Sequence, residues 1–520
     1  MSSNKNLTKS ISVIIFFSLI SKALGFLRET LMASKFGIGY EADTYIVAIT
    51  ATTFLASMIS NSLSSTIIPI SMKVDCEQGK KNKYLYFSNV INAVLLCGFA
   101  LILLSYVLSP YIIKIFAYGF KDEQLNLAVE VNRLALPIIL SIILTSVITG
   151  YLQSENRFTS TALIGVSLNI VFVIYLLMFG NRFGIIGLAI ATIIAYLSQV
   201  FVLLPEVFLS NYRYTFYLNL KDAGLIQTIK LSLPVMIGLS TQQINIIVDK
   251  TMASSLIEGS IASLDYAATT SWIFIDVFVS SIITAIFPII SNAASSKESR
   301  KLRKVVAKGF KLILFISIPA SAGMLVLATP IIRVLFERGA FNSNATTMTV
   351  QAFVLYSVAT IFTALKRLSQ KVYYSYGNTK TPMMNSVMEV SINIVLNLIL
   401  VKYLGHRGLA LSTSLAIMIT SFVFIRGVEK LIGGLSVHKI LHYILKLILS
   451  ATIMGVFILI VNNVVSINSN HEFLFNILYL VFMMVFGAGL YCIVCKLLKI
   501  EEIDMIKELL RQKLKSARRV

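Results

Sequence analysis

Residues 28–34 read RETLMAS, and a closely similar stretch, VDKTMAS, returns at residues 248–254. Shorter echoes keep the same order in both halves of the chain: IPI at 68–70 with FPI at 287–289, and GIIGLA at 184–189 with GHRGLA at 405–410. This order indicates an internal duplication. An apolar chain of two similar halves is typical of a membrane transporter with its substrate site between the halves. The alternative is a duplication without a functional cavity.

The composition excludes a soluble protein. The chain has 520 residues, of which 57% are hydrophobic and 13% charged, and its mean hydropathy is +0.82. Soluble domains carry roughly 25% charged residues. Apolar runs of about 20 residues recur along the chain, and each is long enough to cross a bilayer as a helix. The sequence therefore predicts an all-α polytopic membrane protein.

We expect fourteen membrane spans, six in each repeat and two more at the C-terminal end. The net charge of +21 would suggest nucleic acid in a soluble protein. Here the basic residues gather in alternate loops, which is the positive-inside pattern and places both termini in the cytoplasm. Nucleic acid is therefore not an expected partner. Residues assigned to these basic loops include Lys83, Lys366 and Arg367.

The predicted domains follow the repeat. Residues 1–215 form an N-terminal six-helix lobe, 216–435 a C-terminal lobe in the same orientation, 436–500 two additional helices and 501–520 a basic cytoplasmic tail. No loop is long enough for an ATPase or a catalytic domain. We therefore expect a transporter, not an enzyme, driven by a coupling ion, the membrane potential or the substrate itself.

No metal or other cofactor is expected. Cys492 and Cys495 have redox or metal spacing, but they lie in an apolar run without a second pair of ligands. The sequence contains no catalytic triad and no nucleotide-binding loop. A membrane enzyme or a scaffold without transport activity is the least favoured alternative.

Charged residues inside the spans mark the candidate site, because each costs about 2.5–3.5 kcal/mol at the centre of a membrane helix. Lys22 and Arg28 lie in the first span, about 240° apart around an ideal helix. A bend at Gly25 would let both point into one cavity. There they would bind a phosphorylated headgroup. The alternative is that both side chains extend to the membrane interface.

Three further charged residues are candidates. Asp43 opens the second span, where it either pairs with Arg28 or Lys22 or caps the helix. Asp249 and Lys250 hold the equivalent place in the second half of the chain. We expect them on the facing wall of the same cavity.

These residues carry a family resemblance. Ser21-Lys22-x-x-Gly25-x-x-Arg28-Glu29, followed by Ala42-Asp43-Thr44, resembles the first motif of the MurJ (MviN) family of lipid II flippases. That family belongs to the multidrug/oligosaccharidyl-lipid/polysaccharide exporter superfamily. Further similar motifs are Val248-Asp249-x-x-Met252-Ala253-Ser254, Leu264-Asp265-Tyr266-Ala267, Phe336-Glu337-Arg338-Gly339-Ala340-Phe341 and Gly377-Asn378-Thr379-Lys380-Thr381-Pro382. The resemblance covers essentially the whole chain.

The resemblance implies a bacterial inner-membrane flippase that moves a polyprenyl-pyrophosphate-linked saccharide, lipid II, from the inner to the outer leaflet by alternating access. It implies a role in peptidoglycan and cell-wall biogenesis and in cell shape. Membrane lipids and proteins of cell-wall synthesis are the implied partners. Arg28, Lys22 and Lys250 would bind the pyrophosphate. Asp43, Glu29 and Asp249 would couple charge to conformational change.

Two departures from the family pattern keep alternatives open. Thr50 and Thr269 stand where the family commonly has arginines, so two of the expected cavity cations are missing. The headgroup could therefore differ from that of lipid II, as in an exporter of capsule or O-unit precursors. A cation-coupled drug exporter is less favoured, because such proteins usually need acidic residues within their lobes.

Overall fold

The computed structural model describes residues 2–296, 298–434, 437–464 and 473–503. Within these residues all regular secondary structure is helical, with one π-helical turn and no strand. This confirms the predicted all-α class. The chain groups into two compact units: unit 1 is Met1–Ala262 with Arg338–Asn342, and unit 2 is Ser263–Glu337 with Ser343–Val520.

Unit 1 is a helical bundle around an apolar core. Phe87, Val147 and Leu203 are at most 1% exposed and pack in one cluster with residues of α2 and α5. Burial of each such side chain contributes about 1.5–3 kcal/mol. The helices are α1 (Ser2–Phe36), α2 (Tyr40–Gln78), α3 (Lys80–Phe116), α4 (Asp122–Ala135), α5 (Ile138–Ser154), α6 (Thr159–Met178), α7 (Gly180–Phe208) and α8 (Ala223–Ser254).

Unit 2 contains most of α9 and all helices after it. The two C-terminal helices pack against α11, where the hydroxyls of Tyr443 and Tyr491 donate to the carbonyls of Lys311 and Phe315. The helices are α9 (Ser260–Phe274), the π-helical turn Ile275–Val279, α10 (Ser280–Ser295), α11 (Ser299–Val326), α12 (Ala328–Phe336), α13 (Ser343–Ser375), α14 (Lys380–Leu404), α15 (His406–Ile432), α16 (Val437–Val464) and α17 (Phe473–Leu497).

The predicted number of spans is not confirmed. In the described part of the chain, twelve helical segments are long and apolar enough to cross a membrane. Two of them contain a break: α4 and α5 form one segment around Pro137, and α9 continues through the π-helical turn into α10. The two expected spans outside this count are α1 and α8, which open the two predicted repeats.

Helix α8 packs within unit 1, although the sequence repeat assigns it to the second half. The Tyr86 hydroxyl of α3 is 2.8 Å from the Thr228 hydroxyl of α8, and Thr66 of α2 is 2.9 Å from Ser232. These contacts explain why unit 1 continues past residue 215. The four domains predicted from the repeat stay a prediction. The predicted basic tail lies outside the described residues from position 504 onward.

Candidate functional site

Arg28 lies near the C-terminal end of α1, within a group of polar and aromatic side chains. Its Nη2 donates to Glu29 Oε1 at 2.6 Å, and its guanidinium lies 5.1 Å from the centre of the Phe172 ring of α6. Tyr45 and Tyr196 are close enough to interact with its charge. The Arg28 side chain keeps 29% of its surface exposed. The cation is therefore held in place but remains accessible.

One face of α1 is used for packing against α6. Asn169 of α6 donates to the Ser21 carbonyl at 3.0 Å, and a Cβ atom on Gly25 would lie 3.4 Å from the Asn169 amide. Because Ser21, Gly25 and Arg28 are spaced by four and three residues, they form one stripe on this face. Gly25 lies inside an uninterrupted helix, where it permits close approach to α6. Its predicted role as a hinge stays a prediction.

Lys22 lies on the adjacent face of α1, which it shares with Glu29. Seven helical residues turn through about 700°, which brings Lys22 and Glu29 almost into line. Lys22 is exposed, and the Glu29 carboxylate draws the Arg28 guanidinium toward this face. The ion pair with Glu29 therefore brings the Arg28 guanidinium toward the face that carries Lys22. A bend at Gly25 is not required for the two cations to approach each other.

The Asp43 carboxylate is bonded to backbone amides and is only 3% exposed. One oxygen accepts from Gly259 N–H at 2.8 Å, and the other accepts from Ala262 N–H at 2.7 Å. Asp43 therefore caps the start of α9, where helix amides are otherwise unpaired and favour a negative charge. The sequence had suggested a pairing with Arg28 or a cap on Asp43's own helix. The structure shows neither contact for this carboxylate.

The chain approaches itself closely around Asp43. Gly259 has φ +84°, and a Cβ atom there would lie 2.2 Å from the Ile38 carbonyl oxygen, so only glycine fits. Ala340 N–H donates to the Ser34 carbonyl at 2.8 Å, which places the segment Arg338–Asn342 against the end of α1. Asp43 thus lies where the end of α1 and the start of α9 come close together within unit 1.

Asp249 and Lys250 lie near the C-terminal end of α8, in unit 1. Asn245 donates to the Asp249 carboxylate at 3.2 Å, one helical turn away. Lys250 is close enough to Asp43 to interact with its charge. The structure therefore places Lys250 near Asp43. The predicted role of Lys250 in headgroup binding stays a prediction.

The two threonines at expected arginine positions lie in different units. Thr50 is half-buried in α2 and donates to the Ile46 carbonyl at 2.6 Å. Thr269 is half-buried in α9. A threonine that bonds its own helix carries no charge toward a ligand. These two positions therefore carry no positive charge, whereas the family pattern implies one at each.

Sequence reasoning missed two ion pairs within unit 2. Lys366 Nζ bonds Glu389 Oε2, which also accepts from the Thr420 hydroxyl at 2.8 Å. Arg367 Nη1 lies 2.7 Å from Asp276 Oδ1 in the π-helical turn. The sequence analysis assigned both cations to a basic loop, whereas they lie inside α13. Glu389 and Asp276 within apolar spans were the available signal, since acidic residues in spans seek cationic partners.

Lys83 was also wrongly assigned to a basic loop. It lies in the first turn of α3 with 2% of its surface exposed. Its ammonium group lies 2.5 Å from Glu155 and 3.4 Å from Asp75. Buried lysines need such partners because an isolated charge is costly in an apolar interior. This cluster connects α2, α3 and the end of α5.

A metal site was tested on the chemistry of the side chains. Among the described residues, no group of three or more His, Cys, Asp or Glu side chains is arranged to hold a metal ion. Cys492 is exposed and Cys495 is buried, and both are free thiols.

A helical chain with many apolar crossings, and with ionisable side chains held inside its helices, has the construction of a membrane transporter. The family model described as "Lipid II flippase MurJ" matches residues 32–480. The chain belongs to this family, which confirms the resemblance found in the sequence. Its many apolar helices and its family indicate a multi-pass protein of the bacterial inner membrane.

Individual relatives match over nearly their full length. The probable lipid II flippase MurJ of Thermotoga maritima is 28% identical over 509 residues, which cover 97% of this chain and 99% of that protein. The probable lipid II flippase MurJ of Buchnera aphidicola subsp. Acyrthosiphon pisum is 28% identical over 483 residues, or 92% of this chain and 94% of that protein. Both relatives are named as flippases, a class of transporter.

Solved structures extend the comparison to the fold. A lipid II flippase MurJ in an inward closed conformation has a TM-score of 0.79 at 25% identity, and covers 94% of this chain and 99% of its own. An inward-facing multidrug resistance MATE family transporter of the MOP superfamily has a TM-score of 0.67 at 16% identity, over 79% and 94% of the two chains. The second likeness shows a shared fold alone.

Proposed function

We propose that this protein translocates lipid II from the inner to the outer leaflet of the bacterial inner membrane by alternating access. Membership of the lipid II flippase family supports this function. The observation that carries it in the structure is the accessible cation Arg28, whose ion pair with Glu29 draws it toward the face of α1 that carries exposed Lys22. Both termini lie in the cytoplasm in this proposal, as the distribution of basic residues favours.

In the proposed binding step, the pyrophosphate of the substrate contacts Arg28 and Lys22. A guanidinium offers a planar fork that bonds two phosphate oxygens, and an ammonium adds a point charge. Phe172 supports the guanidinium from one side and leaves its edge available. Lys250 contributes at a later stage, since it lies close to Asp43 in the conformation described.

Glu29 controls the availability of Arg28 in this proposal. The carboxylate occupies the guanidinium in the absence of substrate, so an arriving pyrophosphate must displace it. After translocation Glu29 recovers Arg28 and favours release. In the same proposal, Asp249 at the end of α8 and Asp43 beside the start of α9 link substrate binding to the conformational change. Asp43 does so through its hydrogen bonds to two backbone amides.

The energy source is the membrane potential together with the consumption of substrate on the far side. An inside-negative potential favours outward movement of an anion by about 2.3 kcal/mol per charge per 100 mV. The proposal requires no cofactor, and a coupling ion is an optional addition. Enzymes that build the lipid-linked precursor and enzymes that polymerise it are the proposed functional partners.

The decisive experiment is rescue of a bacterium depleted of its own lipid II flippase. We expect the wild-type chain to restore growth and lipid II translocation, and Arg28→Ala to fail at a matched membrane level. Arg133→Ala is the matched control, because Arg133 bonds the Tyr106 carbonyl at 3.2 Å and stacks on its ring, away from α1. Rescue by Arg28→Ala would contradict the assigned cationic site.

A second candidate function is export of another lipid-linked saccharide, of the capsule or O-unit type. Thr50 and Thr269 favour it, because they remove two cations that the family pattern would direct at the headgroup. If well-expressed wild type fails to rescue while Thr50→Arg with Thr269→Arg succeeds, the chain handles a different headgroup. The same double variant should leave rescue unchanged if the chain already transports lipid II.

A further inference from the structure

An apolar groove of about 470 Å³ runs along the outer surface of unit 1 between α6 and α7. Its floor includes Gly187 and Ala191, which are both buried. Its sides are large exposed side chains, namely Ile174, Phe179, Phe183, Ile190 and Ile194. A surface with small residues at the bottom and large ones at the edges accommodates a narrow apolar chain.

Local backbone geometry forms this groove. Gly184 has φ +54° and interrupts α7, and its carbonyl accepts a hydrogen bond from the Tyr175 hydroxyl at 2.8 Å. A Cβ atom on Gly187 would lie 2.4 Å from that hydroxyl, so a larger residue there would displace Tyr175. The floor is therefore set by two glycines and one buried tyrosine rather than by mobile surface side chains.

The groove has the length of one bilayer leaflet. Beyond the interruption at Gly184, it follows ten residues of α7 from Ile185 to Ile194, which span about 14 Å. Half of the hydrocarbon core of a bilayer is about 15 Å thick. An acyl chain that begins at the interface and ends at the bilayer centre therefore matches the groove, whereas a long polyprenyl chain exceeds it.

Two cations lie at the interfacial end of the groove. Lys35 Nζ donates to Asn181 Oδ1 at 2.8 Å, and its stem passes over Gly180. Arg182 is exposed and its guanidinium lies 5.5 Å from the ring centre of Phe183, which lines the groove. Their contacts are with an amide and a ring, so within the described residues no carboxylate neutralises either charge. An anionic headgroup complements this end.

We propose that the groove is a binding site for an anionic phospholipid of the leaflet that faces the C-terminal end of α1. One acyl chain occupies the groove from Phe183 to Ile194. The phosphodiester lies against Lys35 and Arg182, where the amide of Asn181 adds a donor. This site does not depend on which lipid-linked saccharide the protein transports.

The test uses the full chain, purified in neutral detergent and titrated with phosphatidylglycerol or with phosphatidylcholine. Bound lipid is counted by native mass spectrometry. We expect one tightly retained phosphatidylglycerol, and a preference over phosphatidylcholine that falls by roughly thirtyfold in Lys35→Gln with Arg182→Gln. Lys402→Gln with Arg407→Gln is the matched control, because it removes two exposed cations from the equivalent turn of the second repeat.

A variant that fills the groove tests whether the lipid binds in the groove itself or is only attracted to the basic residues at its end. Ala191→Leu should reduce retention of both lipids while leaving the rim cations in place. If the two rim substitutions have no more effect than the control pair, or if both phospholipids bind equally, the proposal is wrong. Displacement of phosphatidylglycerol by an equimolar polyprenyl phosphate would also overturn it, because the occupant would then be a lipid of the transported class.

Discussion

Asp43 and Arg28 are both charged groups near the α1–α2 turn of unit 1, but their partners differ in kind. Asp43 is 3% exposed and bonds two backbone amides, whereas the Arg28 side chain is 29% exposed and bonds the neighbouring carboxylate of Glu29. Backbone amides at a helix start cannot move away without a change in the fold. A neighbouring side chain can exchange its partner for a ligand. The contrast distinguishes a charge fixed by the backbone from a charge that remains accessible to a ligand.

The largest expected effect is the loss of stability on removing the Asp43 carboxylate. Asp43→Ala leaves the amides of Gly259 and Ala262 without their acceptor, which should cost about 1–3 kcal/mol for each amide. Thermal unfolding of the purified protein would show a clear decrease in Tm. Glu41→Ala is the control at an exposed position two residues earlier. An unchanged Tm for Asp43→Ala would mean that Asp43 is not a structural cap.

Arg28 should behave in the opposite way, with a large effect on binding and a small one on folding. Arg28→Ala should weaken binding of a polyprenyl pyrophosphate by about 100-fold, and Arg28→Lys by about tenfold, because lysine keeps the charge but loses the fork. Titration of the purified variants followed by native mass spectrometry measures both. If Tm falls as far as it does for Asp43→Ala, the distinction between the two charges fails.

Glu29 provides a test in the direction of tighter binding. Glu29→Gln removes the carboxylate that competes for the guanidinium, so affinity for the pyrophosphate should rise by about fivefold. Release should slow, which would lower turnover in a translocation assay even though binding improves. Weaker binding by Glu29→Gln would show that Glu29 orients Arg28 for the ligand instead of competing with it.

The smallest expected effect belongs to Lys22. It is exposed on the face of α1 shared with Glu29, and an exposed cation contributes about 1 kcal/mol at most. Lys22→Gln should therefore weaken pyrophosphate binding by about threefold, with Lys22→Arg equal to or better than wild type. An effect as large as that of Arg28→Ala would show that Lys22 is the principal ligand.

Much of this protein follows from the sequence because its signals are local. Apolar runs predict helices that cross a bilayer, basic loops predict orientation, and the paired motifs at 28–34 and 248–254 predict a duplicated transporter. Arg28 was identifiable because a cation within an apolar run is costly and needs a function. The first motif also provided the family, which the comparisons confirmed.

The partners of the charged groups depended on contacts between residues far apart in the chain. Asp43 caps amides more than 200 positions away, and Arg367 pairs with Asp276 across two helices. Hydropathy and periodicity describe one helix at a time, so they placed Lys83 and Lys366 in basic loops. Only packing shows that each of these cations lies against a carboxylate from another helix.

The sequence by itself determined the class of protein and its helical construction, and it predicted Arg28 as a candidate cation for a phosphorylated headgroup. The tertiary structure decided which charges stabilise the fold and which remain accessible. The physical reason is that the cost of burying a charge follows from the apolar residues around it, which the sequence shows. Whether a hydrogen bond offsets that cost depends on which backbone amide or side chain the fold brings within about 3 Å of the charge.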